Sequence, residues 1–108
     1  MNIIDVTNRA LELNTGFYRE TYNDSLIVVI PLSEPFWCLL IQMPRKFLSR
    51  RPESADEWKE VHLCGGWNPT VEDLLSEDWE ILDKETLNVL SDKGDIIQDD
   101  MWKLGGFI

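Results

Sequence analysis

The sequence has few of the residues that build disulfide or metal frameworks. It contains two cysteines, Cys38 and Cys64, and one histidine, His62, among 108 residues. The cysteines lack the Cys-x-x-Cys spacing, and a zinc site usually takes three or four protein ligands. A chain of this length can bury a core without such supports. We therefore expect two buried thiols, no metal and no other cofactor.

Long apolar runs are also missing. No stretch approaches the roughly 20 apolar residues that span a bilayer. The N-terminal residues have neither the basic start nor the long apolar core of a signal peptide. We expect a cytoplasmic protein without a membrane partner.

Basic residues are scarce. Ten Lys and Arg stand against 20 Asp and Glu, for a net charge of -10. Residues 1–50 carry five of each sign, whereas residues 51–82 carry nine acids and two bases. Binding to a duplex relies on Lys and Arg displacing counterions, so DNA and RNA are disfavoured as partners. The local basic cluster of residues 45–51 is more typical of a solvated surface patch than of an anion site.

Recognisable catalytic motifs are absent from the sequence. It has no Gly-rich phosphate loop, and no nucleophile arrangement accompanies His62. Asp73 and Asp78 leave open a carboxylate acting as a general base, but carboxylates around a capped helix are mostly caps and solvated surface. We expect a protein that is not an enzyme.

The pattern of apolar residues predicts most of the elements. Apolar side chains recur every three or four residues from Ile3 to Leu13, which predicts a helix ending at Asn14. Strands are predicted at 17–22, 26–30 and 36–41, with a turn at 23–25. Residues 44–57 have no clear period and are predicted to be a loop, followed by a strand at 58–64.

The stretch from Gly65 to Leu82 contains a turn, a short helix and a strand. Thr70 is a predicted N-cap, and Asp73 stands three residues later, as in a capping box. The fold class is therefore α+β, a small antiparallel sheet with an N-terminal helix and a short capped helix before the strand at Trp79. A further helix is predicted at 84–90. The extension of residues 83–108 ends in apolar side chains that suggest docking on the domain or on a neighbouring subunit.

Several side chains have the chemistry of a nucleotide site. Aromatic rings can stack on a base, and carboxylates and amides can bind ribose hydroxyls or base edges. The aromatic candidates are Tyr22, Trp67 and Trp79, and the polar candidates are Asn23, Asp73 and Asp78. Arg19 and the N–H groups at the start of the helix after Pro69 are candidates for phosphate.

These residues also form a family-like pattern. It reads Trp67-x-Pro69-Thr70-x-x-Asp73-Leu74-Leu75-x-x-Asp78-Trp79-x-Ile81. The pattern resembles the closing signature of the Thoeris anti-defence 2-like family of phage and prophage proteins, usually a Trp, then Pro-Ser, then Asp-Met-Leu-Ala-x-Asp-Trp. The N-terminal part is similar in plan, with Arg19-x-x-Tyr22-Asn23 where the family commonly has Arg and then Gly-Trp-Asn. The similarity covers roughly residues 4–82, and it departs from the family at Thr21, Tyr22 and Val71.

The resemblance implies that residues 1–82 form this family's α+β domain and assemble into dimers or tetramers. It implies sequestration of a cyclic ADP-ribose-type or cyclic oligonucleotide immune signal, which is held without being cleaved. It also implies roles for individual residues: stacking by Tyr22 and by Trp67 or Trp79, ribose or base contacts by Asn23, Thr70, Asp73 and Asp78, and a phosphate contact by Arg19.

Three alternatives remain. An acidic inhibitor would bind a basic host protein directly through residues 51–82. A small nucleotide-processing enzyme would use Asp73 or Asp78 as a base. A structural accessory protein would bind no ligand. Intact release of a bound nucleotide, capture of one stoichiometric host protein and turnover of a nucleotide separate these alternatives.

Overall fold

A computed structural model describes residues 1–21, 24–31 and 38–92, with side chains described up to residue 90. The helices and strands follow in chain order: α1 (Ile3–Leu13), β1 (Phe17–Glu20), β2 (Ser25–Pro31), β3 (Cys38–Pro44), a 3-10 helix (Arg45–Leu48), α2 (Ala55–Trp58), β4 (His62–Gly66), α3 (Val71–Leu75), β5 (Glu80–Ile81) and α4 (Lys84–Asp92). The predicted α+β class is confirmed.

The strands form one five-stranded antiparallel sheet in the order β4-β3-β2-β1-β5. Side chains alternate between its two faces. On one side, which we call the α1 face, Phe17 and Val29 pack with Val6 and Ala10 of α1 and with Trp79. On the opposite side, the α4 face, the buried core comprises Leu26, Val28, Leu39, Ile41, Met43, Phe47, Leu82 and Leu90.

The N-terminal helix begins and ends where the sequence predicts. Asn2 caps α1 by accepting the Asp5 N–H at 2.8 Å. Asn14 adopts the left-handed conformation, with φ of 55°, and the Thr15 N–H bonds back to the Ala10 carbonyl. Asparagine tolerates this conformation better than most residues, so it ends the helix cleanly. The predicted helix at 84–90 is likewise confirmed as α4.

The predicted loop at 44–57 is wrong in part. Its first residues form the 3-10 helix, which buries Phe47, and Ser54 caps α2 by accepting the Glu57 N–H at 3.1 Å. These turns are too short to show an apolar period. Because Trp58 is the last residue of α2, the strand predicted at 58–64 begins only at His62.

Acidic partners neutralise most of the basic cluster. Arg45 pairs with Glu20, Lys46 with Glu60 and Arg50 with Glu57. These pairs support the prediction of a solvated surface patch.

The prediction of two buried thiols is wrong for Cys64. Both cysteines are free, but Cys38 is half-buried and Cys64 is exposed. Cys64 stands on the edge strand β4, beside a bulge opposite Leu40 and Ile41. Although Cys64 is exposed as a whole residue, neighbouring protein atoms desolvate both sulfur atoms, and this desolvation raises the pKa of each thiol.

Among the described residues, none of the helices has both the length and the apolar character needed to cross a lipid bilayer. Of the predicted extension at 83–108, the structure describes residues 83–92, which contain α4 and place Leu90 in the core of the α4 face. The apolar end of the extension, for which docking is predicted, lies outside the described ranges.

Tyr18 provides a pH-dependent test of the packing between β1 and β5. Burial and a hydrogen bond to Glu80 raise the pKa of Tyr18 from 10.0 to about 12. The folded state therefore holds this proton more tightly than the unfolded state, and the stability contributed by neutral Tyr18 is present below pH 10 and lost as the pH rises through about 12. A tyrosinate absorbance titration, with the Tyr18→Phe signal subtracted, is expected to show this midpoint, and Glu80→Gln is expected to lower it. A Tyr18 midpoint near 10 in the wild type would contradict the arrangement.

Candidate functional site

A reciprocal cap starts helix α3. The Thr70 hydroxyl accepts the Asp73 N–H at 3.1 Å, and the Asp73 carboxylate accepts the Thr70 N–H at 2.9 Å. A helix of five residues is too short to be stable alone, so it depends on this cap and on tertiary contacts. The predicted capping box is confirmed.

Arg19 connects strand β1 to this helix. Its Nη1 donates to Asp73 at 3.0 Å, its Nη2 to Glu72 at 3.0 Å and its Nε to Asp78 at 3.4 Å. The Arg19 side chain is only 9% exposed, and its guanidinium lies 5.7 Å from the centre of the Trp79 ring. We call Arg19, Glu72, Asp73 and Asp78 the Arg19 cluster. One cation faces three carboxylates, so a phosphate would have to displace a carboxylate to reach Arg19.

The two tryptophans of the signature pack on Phe17. The ring centres of Phe17 and Trp79 are 5.2 Å apart and those of Trp67 and Trp79 are 5.7 Å apart, both pairs edge-to-face. The Trp79 indole N–H donates to the Asp73 carbonyl at 3.0 Å. Trp79 is completely buried and Trp67 half-buried. Of the three rings proposed for stacking, Tyr22 lies outside the described residues, and of the two described rings only Trp67 has exposed surface.

The structure therefore brings most of the predicted site residues together, but mainly to bind one another. The residues that meet around α3 are Arg19, Trp67, Thr70, Asp73, Asp78 and Trp79. Tyr22 and Asn23 lie outside the described residues. In this arrangement Trp79 is a core residue, Thr70 and Asp73 form a cap, and Arg19 holds the cap to the sheet. The residues of the signature thus stabilise the fold, and an open surface lies next to them.

That surface is a groove on the α1 face, in the half of the sheet that α1 leaves uncovered. Its volume is about 450 Å³. The side chains that line it include Thr21, Ser25, Ile27, Gln42, Glu60 and His62. The register places Arg19, Ile27, Gln42 and His62 opposite one another on four adjacent strands. The floor of the groove is therefore continuous with the Arg19 cluster.

Sequence reasoning missed this groove, although one signal was available. Gln42 is a polar residue within an otherwise apolar strand, β3, and it is exposed while its neighbours Ile41 and Met43 are buried. An exposed polar side chain in the middle of such a strand marks a place where one face of the sheet is not covered. The strand partners of Gln42 could not be assigned without the register.

His62 and Cys64 share strand β4, but within residues 1–21, 24–31 and 38–92 no group of three or more metal-binding side chains comes together.

No protein-family model, curated protein or solved structure compared with the chain matches it. Function is therefore inferred from the groove and the Arg19 cluster, together with the resemblance of the sequence pattern to the Thoeris anti-defence 2-like family.

Proposed function

We propose that this protein binds a cyclic ADP-ribose-type or other cyclic nucleotide signal and holds it without cleaving it. In the cytoplasm of an infected host cell, such sequestration would keep the signal from its effector, as the resemblance to the Thoeris anti-defence 2-like family implies. The observation that carries the proposal is the groove beside the Arg19 cluster. Sequestration requires affinity and abundance, and it requires no catalytic group.

The groove suits a nucleoside in size and chemistry. Its volume of about 450 Å³ falls within the range of roughly 300–1,000 Å³ that is typical of small-molecule sites. Ile27 offers a half-buried apolar floor, and Thr21, Ser25 and Gln42 offer hydroxyl and amide groups around it. Such groups match ribose hydroxyls and base edges. A larger depression of about 730 Å³ lies beside α2. None of its lining residues belongs to the Arg19 cluster or to the row of Ile27, Gln42 and His62 that lies opposite Arg19 in the sheet.

Phosphate recognition would fall to groups other than Arg19. The donors of Arg19 are bonded to carboxylates, whereas His62 is exposed at the wall of the groove. An imidazole ring carries an N–H that can donate to phosphate oxygens, so we assign this role to His62. Trp67 is half-buried but does not line the groove, so a stacking role for its ring rests on the resemblance alone.

A ligand-release experiment tests the proposal. The purified chain is mixed with a panel of cyclic ADP-ribose isomers and cyclic di- and trinucleotides, freed of unbound ligand and heated, and the released compounds are identified. We expect one intact nucleotide at a fixed ratio to the subunits of a dimer or tetramer. Gln42→Ala is expected to weaken its retention by about tenfold, because a hydrogen-bonding group on the floor is lost.

Asn8→Ala, which removes an exposed amide from α1, is the matched control and is expected to retain the ligand fully. Retention of no panel member would contradict sequestration and favour an acidic inhibitor that binds a host protein. Release of a cleaved product would show an enzyme instead.

A further inference from the structure

Helix α3 has its apolar side chains on the outside. Val71, Leu74 and Leu75 are 72%, 49% and 75% exposed, whereas Asp73 is only 7% exposed. Residues spaced by three and four positions share one side of a helix, so the three apolar side chains form a stripe. We call these three residues the α3 stripe. In most surface helices such a stripe faces the core. In α3 the Asp73 carboxylate faces the core instead.

The contacts of Asp73 impose this orientation. Its carboxylate accepts from Arg19 and from the Thr70 N–H, and its carbonyl accepts from the buried Trp79 indole. Rotating α3 to bury the stripe would break all three bonds and leave the Arg19 guanidinium buried without Asp73. A buried charge that loses its ion-pair partner strongly destabilises the folded state. The stripe therefore cannot be buried by a rotation of its own helix.

The surface around the stripe is acidic. Residues 67–83 contain six Asp and Glu and no Lys or Arg. The side chains of Glu72 and Asp78 are 79% and 64% exposed, and Glu77 is exposed beside them. Arg19 offsets only part of this charge. An apolar stripe with an acidic rim is complementary to an apolar face flanked by Lys and Arg.

We propose that the α3 stripe and its acidic rim form a docking surface for a cationic amphipathic segment of another protein. The apolar side of the segment covers Val71, Leu74 and Leu75, and its basic side chains meet Glu72, Glu77 and Asp78. A second copy of this chain fits poorly. An α3-to-α3 contact would oppose carboxylates to carboxylates, and Arg45, Lys46 and Arg50 are already paired with acids. The rim shares Glu72 and Asp78 with the Arg19 cluster, but no residue of this surface lines the nucleotide groove.

Fluorescence anisotropy with a labelled model peptide tests the docking surface. The probe is a 14-residue peptide of leucine and lysine with its leucines on one helical face. The comparison peptides are a shuffled version without an apolar face and a version with glutamate in place of lysine. The full chain is expected to bind only the first peptide, and more weakly as salt is raised. The double variant Val71→Ser, Leu75→Ser is expected to raise Kd about tenfold or more.

Ile4→Ser is the matched control, because Ile4 is an exposed apolar residue of α1 with 69% exposure. It is expected to leave Kd unchanged, and all variants should keep the wild-type melting temperature because the altered side chains are exposed. Equal binding of all three peptides, or equal loss on Ile4→Ser, would overturn the proposal. Failure to bind the first peptide would also overturn it. If the chain then self-associates in sedimentation and the double variant abolishes this association, the stripe belongs to a second copy.

Discussion

Replacing Trp79 with alanine is expected to lower the free energy of unfolding by about 4 kcal/mol, the middle of the range for a buried large aromatic. Trp79 is fully buried, packs edge-on against Phe17 and Trp67, and donates its indole N–H to Asp73. The substitution leaves a cavity and removes a donor from a buried carbonyl. A domain of this size is typically stable by only about 5–15 kcal/mol, so the loss is a large share of the total. Urea unfolding monitored by circular dichroism measures it.

Two further variants separate the contributions of Trp79. Trp79→Phe keeps most of the apolar volume but not the N–H, and a smaller loss of about 1–2 kcal/mol is expected. Leu75→Ala, at a position that is 75% exposed, is expected to change stability by less than about 0.5 kcal/mol. A Trp79→Phe variant with wild-type stability and weakened nucleotide retention would show that Trp79 contacts ligand, contrary to its place in the core.

Arg19→Met is expected to cost about 3 kcal/mol, at the lower end of the range for breaking a buried ion pair. The substitution leaves the Asp73 side chain, only 10% exposed, without its cation. The other two partners, Glu72 and Asp78, are exposed and can be solvated again. Arg19→Lys should recover only part of the loss, because a lysine ammonium cannot reproduce the geometry of three guanidinium donors. Urea unfolding again provides the measurement.

Arg45→Met is the matched control for this prediction. It breaks the exposed pair with Glu20 and is expected to cost less than about 1 kcal/mol. In the double variant Arg19→Met, Asp73→Asn, a neutral amide replaces the Asp73 carboxylate, so the combined loss should be smaller than the sum of the two single losses. Additive losses would show that Arg19 and Asp73 do not interact as the structure describes.

These expectations change the meaning of the signature that resembles the anti-defence family. Arg19 and Trp79 each form a hydrogen bond to Asp73, so in this chain Asp73 and Trp79 of the pattern attach α3 to the sheet. The ligand would then be selected by the groove, where Ile27, Gln42 and His62 do not belong to the signature.

Local chemistry explains which elements could be predicted from the sequence. The boundaries of α1 follow from Asn2, Asn14 and the apolar spacing between them, and the capping box follows from Thr70 and Asp73. Each of these features depends on residues within a few positions of one another. The strand β2 is recognisable because Leu26 to Ile30 are all apolar, and each of its positions is half-buried or buried.

The groove and the direction of the α3 stripe depend on contacts between distant residues. Leu74 and Leu75 follow Val71 at the helical spacings of three and four residues, and the sequence alone would place this stripe inward. Only the bond from Arg19, 54 positions earlier than Asp73, shows that the carboxylate takes the inner side. The groove likewise requires the register that places Ile27 opposite Gln42 and Gln42 opposite His62.

The position of β1 in the sheet has a consequence for the order of folding. β1 pairs with β2 through a short connection, but its other neighbour, β5, lies about 60 positions later in the chain. During synthesis, β1, β2 and β3 can pair while Phe17 and Arg19 still lack Trp79 and Asp73. Contacts between distant positions form slowly because a long loop must close first. Leu82 and Leu90 of the α4 face also follow β5 in the chain, so both faces are expected to be completed late. Nascent chains that stop before residue 79 should therefore expose Phe17 to chaperones and proteases.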